Sequence, residues 1–337
     1  MRIEPEVVTL GECLVSLVAV EHGPMAEAET FRRHVAGAEA NVAVGLVRLG
    51  HPVAYIGRVG DDGFGTTILR RLRGEGVDTR CVRVEPDGGT GIMFRERRTV
   101  GPSEVLYRRA GSAGSRMGAE DVEAAAETGL FRNARLLHLT GITPALSASC
   151  RSAVGAAIEQ ARAANLQVSL DLNLRRRLWT DDEARPVLRG LVARTDIVFA
   201  SVEEAAVVTG HRPATASPAG DPASRAAAVA SALLDLGARR VALKLDAGAA
   251  GSYATDRPAV IVPAVPDVPL IDPVGAGDAF CAGYLAATLE GADEAAALAL
   301  GNACGASVLG AEGDLTGAPS RAEADRIRRF TSGQSIR

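Results

Sequence analysis

The sequence predicts an α/β protein: a three-layer α/β/α core around a largely parallel sheet, with a small β-sheet lid. Three observations lead there. From residue 52 onward, short apolar strand-like runs alternate with glycine-bearing turns and helical segments, the pattern of a parallel sheet. Two strand-like runs, 91–96 and 104–109, follow one another with no helix between them and so belong to a separate piece of sheet. Finally, Gly275-Ala276-Gly277 leads directly into an apolar helical segment over 279–289, with Asp278 at the junction.

Taken in order, 7–10 and 14–20 read as short strands split by Gly11-Glu12-Cys13, and 30–35 as another. Gly37-Ala38-Glu39-Ala40-Asn41 opens a helix that stops at Leu49-Gly50, glycine being a common C-terminal stop. A strand at 52–56 runs into a glycine-rich turn, Gly57 to Gly65, and a helix to about Glu75. The runs 91–96 and 104–109 form a hairpin through 99–102 and, with 14–20 and 30–35, make the lid. Alternation then resumes with helix 119–128, strand 136–139, helix 146–164, strand 167–170, helix 182–194 and strand 197–200. Residues 211–224, rich in Pro, Ala and Gly, read as a loop before helix 225–237. Strands at 240–243 and 252–262 follow, and the remainder is mostly helical. The chain reads as one domain, 1–337, with lid strands from about 14–35 and 91–109 inserted in the core.

Composition narrows the function. With 47% hydrophobic and 23% charged residues the chain resembles ordinary globular enzymes, and a net charge of −4 favours neither nucleic acid nor an anionic membrane. Five scattered cysteines without a CxxC pair argue against a disulfide framework or a zinc site and for a reducing compartment. The first residues carry acids where a signal peptide needs a basic start, and no run approaches the roughly 20 apolar residues of a membrane span. The expectation is a cytoplasmic protein. Lys244 is the only lysine, so a Walker A phosphate loop is excluded.

Asp278 admits two readings. The first N–H groups of a helix have no internal partner and form an anion site. An acid beside them serves either as a helix cap or as a base that takes a proton from a hydroxyl while the amides hold a phosphoryl group.

Two motifs decide between these readings by resemblance. Gly57-Arg58-Val59-Gly60-Asp61-Asp62-x-Phe64-Gly65 resembles the N-terminal signature of the ribokinase-like (PfkB) carbohydrate kinases, and Asp272-Pro273-Val274-Gly275-Ala276-Gly277-Asp278 resembles their C-terminal signature, about 210 residues later. The resemblance covers nearly the whole chain. It implies a ribokinase-like α/β/α core with a β lid and transfer of phosphate from ATP to a sugar hydroxyl. It further implies that Asp278 is the catalytic base and that Gly275, Ala276 and Gly277 form the anion hole. Within the family, the chain is most similar to 2-keto-3-deoxygluconate kinases. The likeness rests on Gly37-Ala38-Glu39-Ala40-Asn41, the run from Tyr107 to Ser115, Gly141 to Leu146, and Asp171-Leu172-Asn173-Leu174-Arg175 with Leu178-Trp179.

The residues themselves fit a sugar acid, whose carboxylate needs a cation. Arg109 on the lid and Arg175 in a strand-to-helix loop are candidates, because a guanidinium meets carboxylate or phosphate in a forked pair. Tyr107, two residues from Arg109, lies on the same strand face. Gly37 and Asn41 are expected to meet sugar hydroxyls, and Asp314 matches a family position near the sugar. For the nucleotide, the resemblance points to Asn173, Ser201, Glu204, Gly248, Gly251 and Asn302, with magnesium held by the ATP phosphates and Glu204 a candidate for its other side. The resemblance is also compatible with a monovalent cation. The sequence departs from the family where Lys244 stands four residues before Gly248 instead of two, and where Ala36 replaces a second glycine before Gly37.

The reading is thus an ATP- and magnesium-dependent kinase for 2-keto-3-deoxygluconate, a homo-oligomer without nucleic-acid or membrane partners. Its rivals are a related kinase for fructose, ribose or 5-dehydro-2-deoxygluconate, and a sensor that binds sugar or nucleotide without turnover.

Overall fold

The computed structural model describes residues 4–98, 101, 103–211, 221–245, 248–313 and 315–331. Among them a nine-stranded sheet runs through the centre in the order β13-β12-β11-β10-β9-β8-β1-β4-β5. Its strands are β1 (Val7–Leu10), β4 (Val53–Gly60), β5 (Asp78–Glu85), β8 (Leu136–Thr140), β9 (Gln167–Asp171), β10 (Ile197–Ser201), β11 (Arg240–Leu245), β12 (Ala249–Ala254) and β13 (Arg257–Pro263). Neighbours from β5 to β11 pair in parallel, whereas β12 and β13 extend the edge as an antiparallel hairpin.

Alternation along the strands sends successive side chains to opposite faces. Val7, Val53, Leu136, Phe199 and Ala242 face one core, shared with α1 (Ala38–Arg48), α2 (Gly63–Gly74), α9 (Ala276–Leu289), α10 (Glu294–Leu309) and α11 (Arg321–Thr331). Val8, Ala54, Leu137, Val198 and Val241 face the other, covered by α3 (Ala119–Glu127), α5 (Ala148–Ala163), α6 (Asp181–Val192), α7 (Val202–Thr209) and α8 (Pro222–Asp235). A short helix, α4 (Thr143–Leu146), precedes α5. The three predicted layers are present.

A second sheet, β3-β2-β6-β7, comprises β2 (Leu14–His22), β3 (Phe31–Ala36), β6 (Ile92–Arg97) and β7 (Val105–Arg108). β2 pairs in parallel with β6 and antiparallel with β3, and β6 pairs antiparallel with β7. These are the strands expected of the lid.

Three expectations need correction. The glycine-rich stretch from Gly57 is strand as far as Gly60, because the missing side chain at Gly57 lets β4 pass close to the Gly11 carbonyl, where a Cβ would come within 2.9 Å. The turn is confined to Asp61 and Asp62, and Asp62 caps α2 by accepting from the Phe64 and Gly65 amides. The edge strand β5 carries few apolar residues and escaped the pattern reading. The single strand predicted at 252–262 is a hairpin, turned at Thr255-Asp256. Most of the predicted loop at 211–224, and residues 99, 100 and 102 of the predicted lid turn, lie outside the described residues.

Candidate active site

In a doubly wound sheet, ligands sit beyond the carboxyl ends of the strands, where strand order reverses. Here the reversal falls at β1, between β8 and β4. A cleft of about 680 Å³ opens there, floored by Asp171, Asn173, Ser201 and Lys244 from the ends of β9, β10 and β11, and roofed by lid residues Met93, Arg95 and Tyr107. The N-termini of α1 and α9 enter it from the side.

Gly275 is the residue before α9 and holds φ at 84°, a left-handed conformation costly for other residues. The N–H groups of Gly275, Gly277 and Asp278 make no hydrogen bond among the described residues, while that of Ala276 leans on the Pro273 carbonyl at 3.4 Å. Of the three expected anion-hole residues, Gly275 and Gly277 thus bring unbonded N–H groups to the cleft, with that of Asp278 beside them. Asp278 follows as the third residue of the helix and makes no side-chain cap. The capping reading of Asp278 is thereby set aside. Its Oδ2 accepts a 2.7 Å hydrogen bond from Asn41 Nδ2. Burial pushes the carboxyl up to about 7, helped by the nearby Asp171 and opposed by the Asn41 bond, Arg175 and Lys244.

Asn41 lies in the first turn of α1, behind Gly37, whose φ of 153° again suits glycine. Its side chain does not cap the helix. The Oδ1 atom is buried without a partner among the described residues. An acceptor buried without a partner is costly unless a ligand donates to it, and Asn41 lines the cleft.

Lys244, whose spacing departs from the family pattern, projects from β11 into the cleft. Its Nζ lies 3.2 Å from Asp171 Oδ1 and stands close to Gly277. Burial works against its charge, but Asp171, together with Cys281 and Glu204, outweighs that and holds the ammonium above the usual lysine value. The sequence marked Lys244 for its shifted spacing and Asp171 as part of a motif, but assigned neither a role in the site. The signal available was that the chain's only lysine ends a strand whose carboxyl end borders the cleft.

On the lid, Arg109 lies over the Tyr107 ring at 5.4 Å and pairs with Glu12. Arg175 also lines the cleft, and its side chain makes no ion pair among the described residues. Arg95 of β6 reaches across to Asp272 at 2.8 Å, and Asp272 also accepts from the Val274 amide, tying the lid to the turn before α9.

The nucleotide candidates divide. Ser201 caps α7 by accepting from the Glu204 amide, and Glu204 accepts from the Ser201 and Leu174 amides. Glu204 is thus a capping-box residue that also lines the cleft. Each of its oxygens takes a single backbone donor, which leaves lone pairs for a hydrated magnesium ion. Asn173 lines the cleft with φ at 37° and its amide 3.5 Å from Asp171. Gly248 and Asn302 lie near one another beside the end of β11: Gly248 accepts from the Ala264 amide, and Asn302 donates to the Val262 and Pro263 carbonyls. Gly251 is in a strand, and it is not among the residues that line the cleft. It sits within β12, opposite Leu243 and Ile261, where a Cβ would crowd Ile261 and Tyr253. Asp314 lies outside the described residues.

Comparison with known proteins adds four findings. The family model for pfkB family carbohydrate kinases matches residues 4–321. The 2-dehydro-3-deoxygluconokinase of Thermoproteus tenax is 37% identical over 330 residues, covering 95% of this chain and 93% of that protein. The enzyme of the same name from Bacillus subtilis is 34% identical over 332 residues, covering 98% and 96%. Among solved structures, a protein assigned as ribokinase II from E. coli, in complex with ATP and Mg2+, superposes with a TM-score of 0.84 at 27% identity, covering 97% of this chain and 99% of that one.

Proposed function

The chain belongs to the pfkB family of carbohydrate kinases, and on that premise we propose that it transfers the γ-phosphoryl group of ATP to the 6-hydroxyl of 2-keto-3-deoxygluconate. The two relatives described above, similar over nearly their whole length, support this substrate. The observation that carries it within the structure is the convergence of Arg109 and Arg175 on the cleft that holds Asp278. A neutral sugar has no use for two guanidinium groups, whereas a 2-keto acid presents a carboxylate to them.

The chemistry follows from the geometry. Asn41 accepts from a sugar hydroxyl through Oδ1 and, through Nδ2, steers Asp278. With its carboxyl near 7, Asp278 is ionised in about half the molecules at neutral pH and basic enough to take the proton of the attacking hydroxyl. The free amides at the start of α9 and the Lys244 ammonium stabilise the charge that develops on the transferring phosphoryl group. Glu204 would hold a magnesium ion brought by ATP, and that ion would supply neutralisation of charge on the phosphate oxygens. The lid closes over the sugar and keeps water from competing as acceptor.

The test is ADP release from ATP-Mg against 2-keto-3-deoxygluconate, its galactose-derived epimer, gluconate, fructose, ribose and 5-dehydro-2-deoxygluconate. Turnover confined to the keto-deoxy acids is expected, with Arg109→Ala raising their KM at least tenfold while the KM for ATP stays put. Best turnover with a neutral sugar, or an unmoved KM in Arg109→Ala, overturns the substrate reading.

A further inference from the structure

Glu12 stands just past the end of β1, in the core rather than in the lid, and is only 3% exposed. Its Oε2 accepts from Arg109 Nε at 2.7 Å and pairs with Nη2 at 2.5 Å. Its Oε1 accepts from the Ser112 hydroxyl. The pocket around this carboxylate is built to its shape. A Cβ at Gly91 would lie 2.5 Å from Oε1, and one at Gly114 would lie 2.4 Å from Glu12 Cγ, so glycine at both positions is what admits this side chain.

The consequence falls on Arg109. A guanidinium has two edges able to make forked bonds: Nε with one Nη2 hydrogen, and Nη1 with the other. Glu12 takes the first edge and the Tyr107 ring covers one face at 5.4 Å. The outer edge makes no hydrogen bond among the described residues, and Arg109 lines the cleft. With one edge and one face occupied, the plane of the fork is set before any ligand arrives.

We propose that Glu12 is a positioning residue for substrate recognition: it fixes the lid arginine so that its free edge meets the substrate carboxylate. This rests on the reading of Arg109 as the carboxylate partner. It adds that recognition of a lid-borne group is set by a core residue, so that the lid must be closed for the arginine to be correctly aimed. Removing a charge that pairs with Arg109 would by simple Coulomb attraction tighten anion binding. The positioning role predicts the opposite.

The experiment is a double-mutant cycle with Glu12→Gln and Arg109→Ala, read as separate KM and kcat values for 2-keto-3-deoxygluconate and KM for ATP. Glu12→Gln is expected to raise the sugar-acid KM about tenfold or more, with kcat and the ATP KM within threefold of the parent. In the Arg109→Ala background, Glu12→Gln should raise the sugar-acid KM no further. Ser112→Ala, which leaves the charge pair intact and frees only Oε1, is the gentler variant should Glu12→Gln fold poorly, and should raise the same KM a few-fold. An unmoved or lowered KM in both single variants, or an equal rise whether or not Arg109 is present, overturns the proposal. If Arg109→Ala alone leaves KM unmoved, it is the underlying reading of Arg109 that has failed.

Discussion

Replacing Asn41 by leucine tests the link between geometry and pH dependence. Leucine fills a similar volume, so no water takes the place of the amide, and the 2.7 Å donor to Asp278 is lost. A hydrogen bond to a charged group contributes about 1.5–3 kcal/mol. At about 1.36 kcal/mol per pKa unit, its loss raises the carboxyl by about 1–2 units. The direction is fixed, because the amide donates to the ionised form and its removal favours the proton. Starting from about 7, the base would titrate near 8–9 in the variant. At pH 7 the ionised fraction then falls from about half to between roughly one in ten and one in a hundred. The assay is kcat/KM for the sugar acid across pH, which reports the free enzyme. The acid limb should move to higher pH, and activity should partly return in alkali. Any fall in the plateau separately measures the lost contact from Oδ1 to the sugar. If the plateau falls and the limb does not move, Asn41 does not hold the ionised base, and the account of Asp278 is wrong.

Asp278→Asn should keep substrate binding and lose several orders of magnitude in kcat, and a kcat within tenfold of the parent removes the base assignment. The same substitution should also stabilise the fold in alkali. The carboxyl is raised from 3.8 to about 7, so the fold favours its protonated form, and parent stability falls as pH rises through that window. The asparagine variant lacks this loss, up to about 4 kcal/mol. Its Tm should exceed the parent's at pH 8 and match it at pH 4. Lys244→Met should lower kcat about a hundredfold or more while leaving the sugar KM unchanged. A kcat within a few-fold of the parent would reduce Lys244 to a partner for Asp171.

Much of this was legible because it is local. The alternation of strand and helix, the break at the lid, and the glycines before α9 are all patterns of near neighbours in sequence. What escaped depends on partners far apart. Asp171 and Lys244 are separated by 73 residues, and Glu12 and Arg109 by 97. No spacing announces such pairs, since they exist only once the strand ends meet. The role of Gly57 was misread for a related reason, because its missing side chain serves close packing in a strand where composition suggested a turn. Glu204 showed the converse. Its capping role was readable from Ser201-Val202-Glu203-Glu204 as a serine followed three residues later by a glutamate, and the fold then placed that cap on the cleft.

The separation of Asn41 from Asp278, 237 residues along the chain, also bears on how the protein reaches its working state. Beginning at β1, the central sheet grows outward, with β4 and β5 laid on one side and β8 to β13 added in turn on the other, so no strand is inserted between two already paired. The base comes afterwards, on a helix that must return to pack against α1, near the start of the chain. A nascent or refolding chain can complete its sheet while it still lacks the pairing that makes it a kinase. Recovery of activity should therefore lag behind recovery of sheet signal, and the lag would time the docking of α9 on α1.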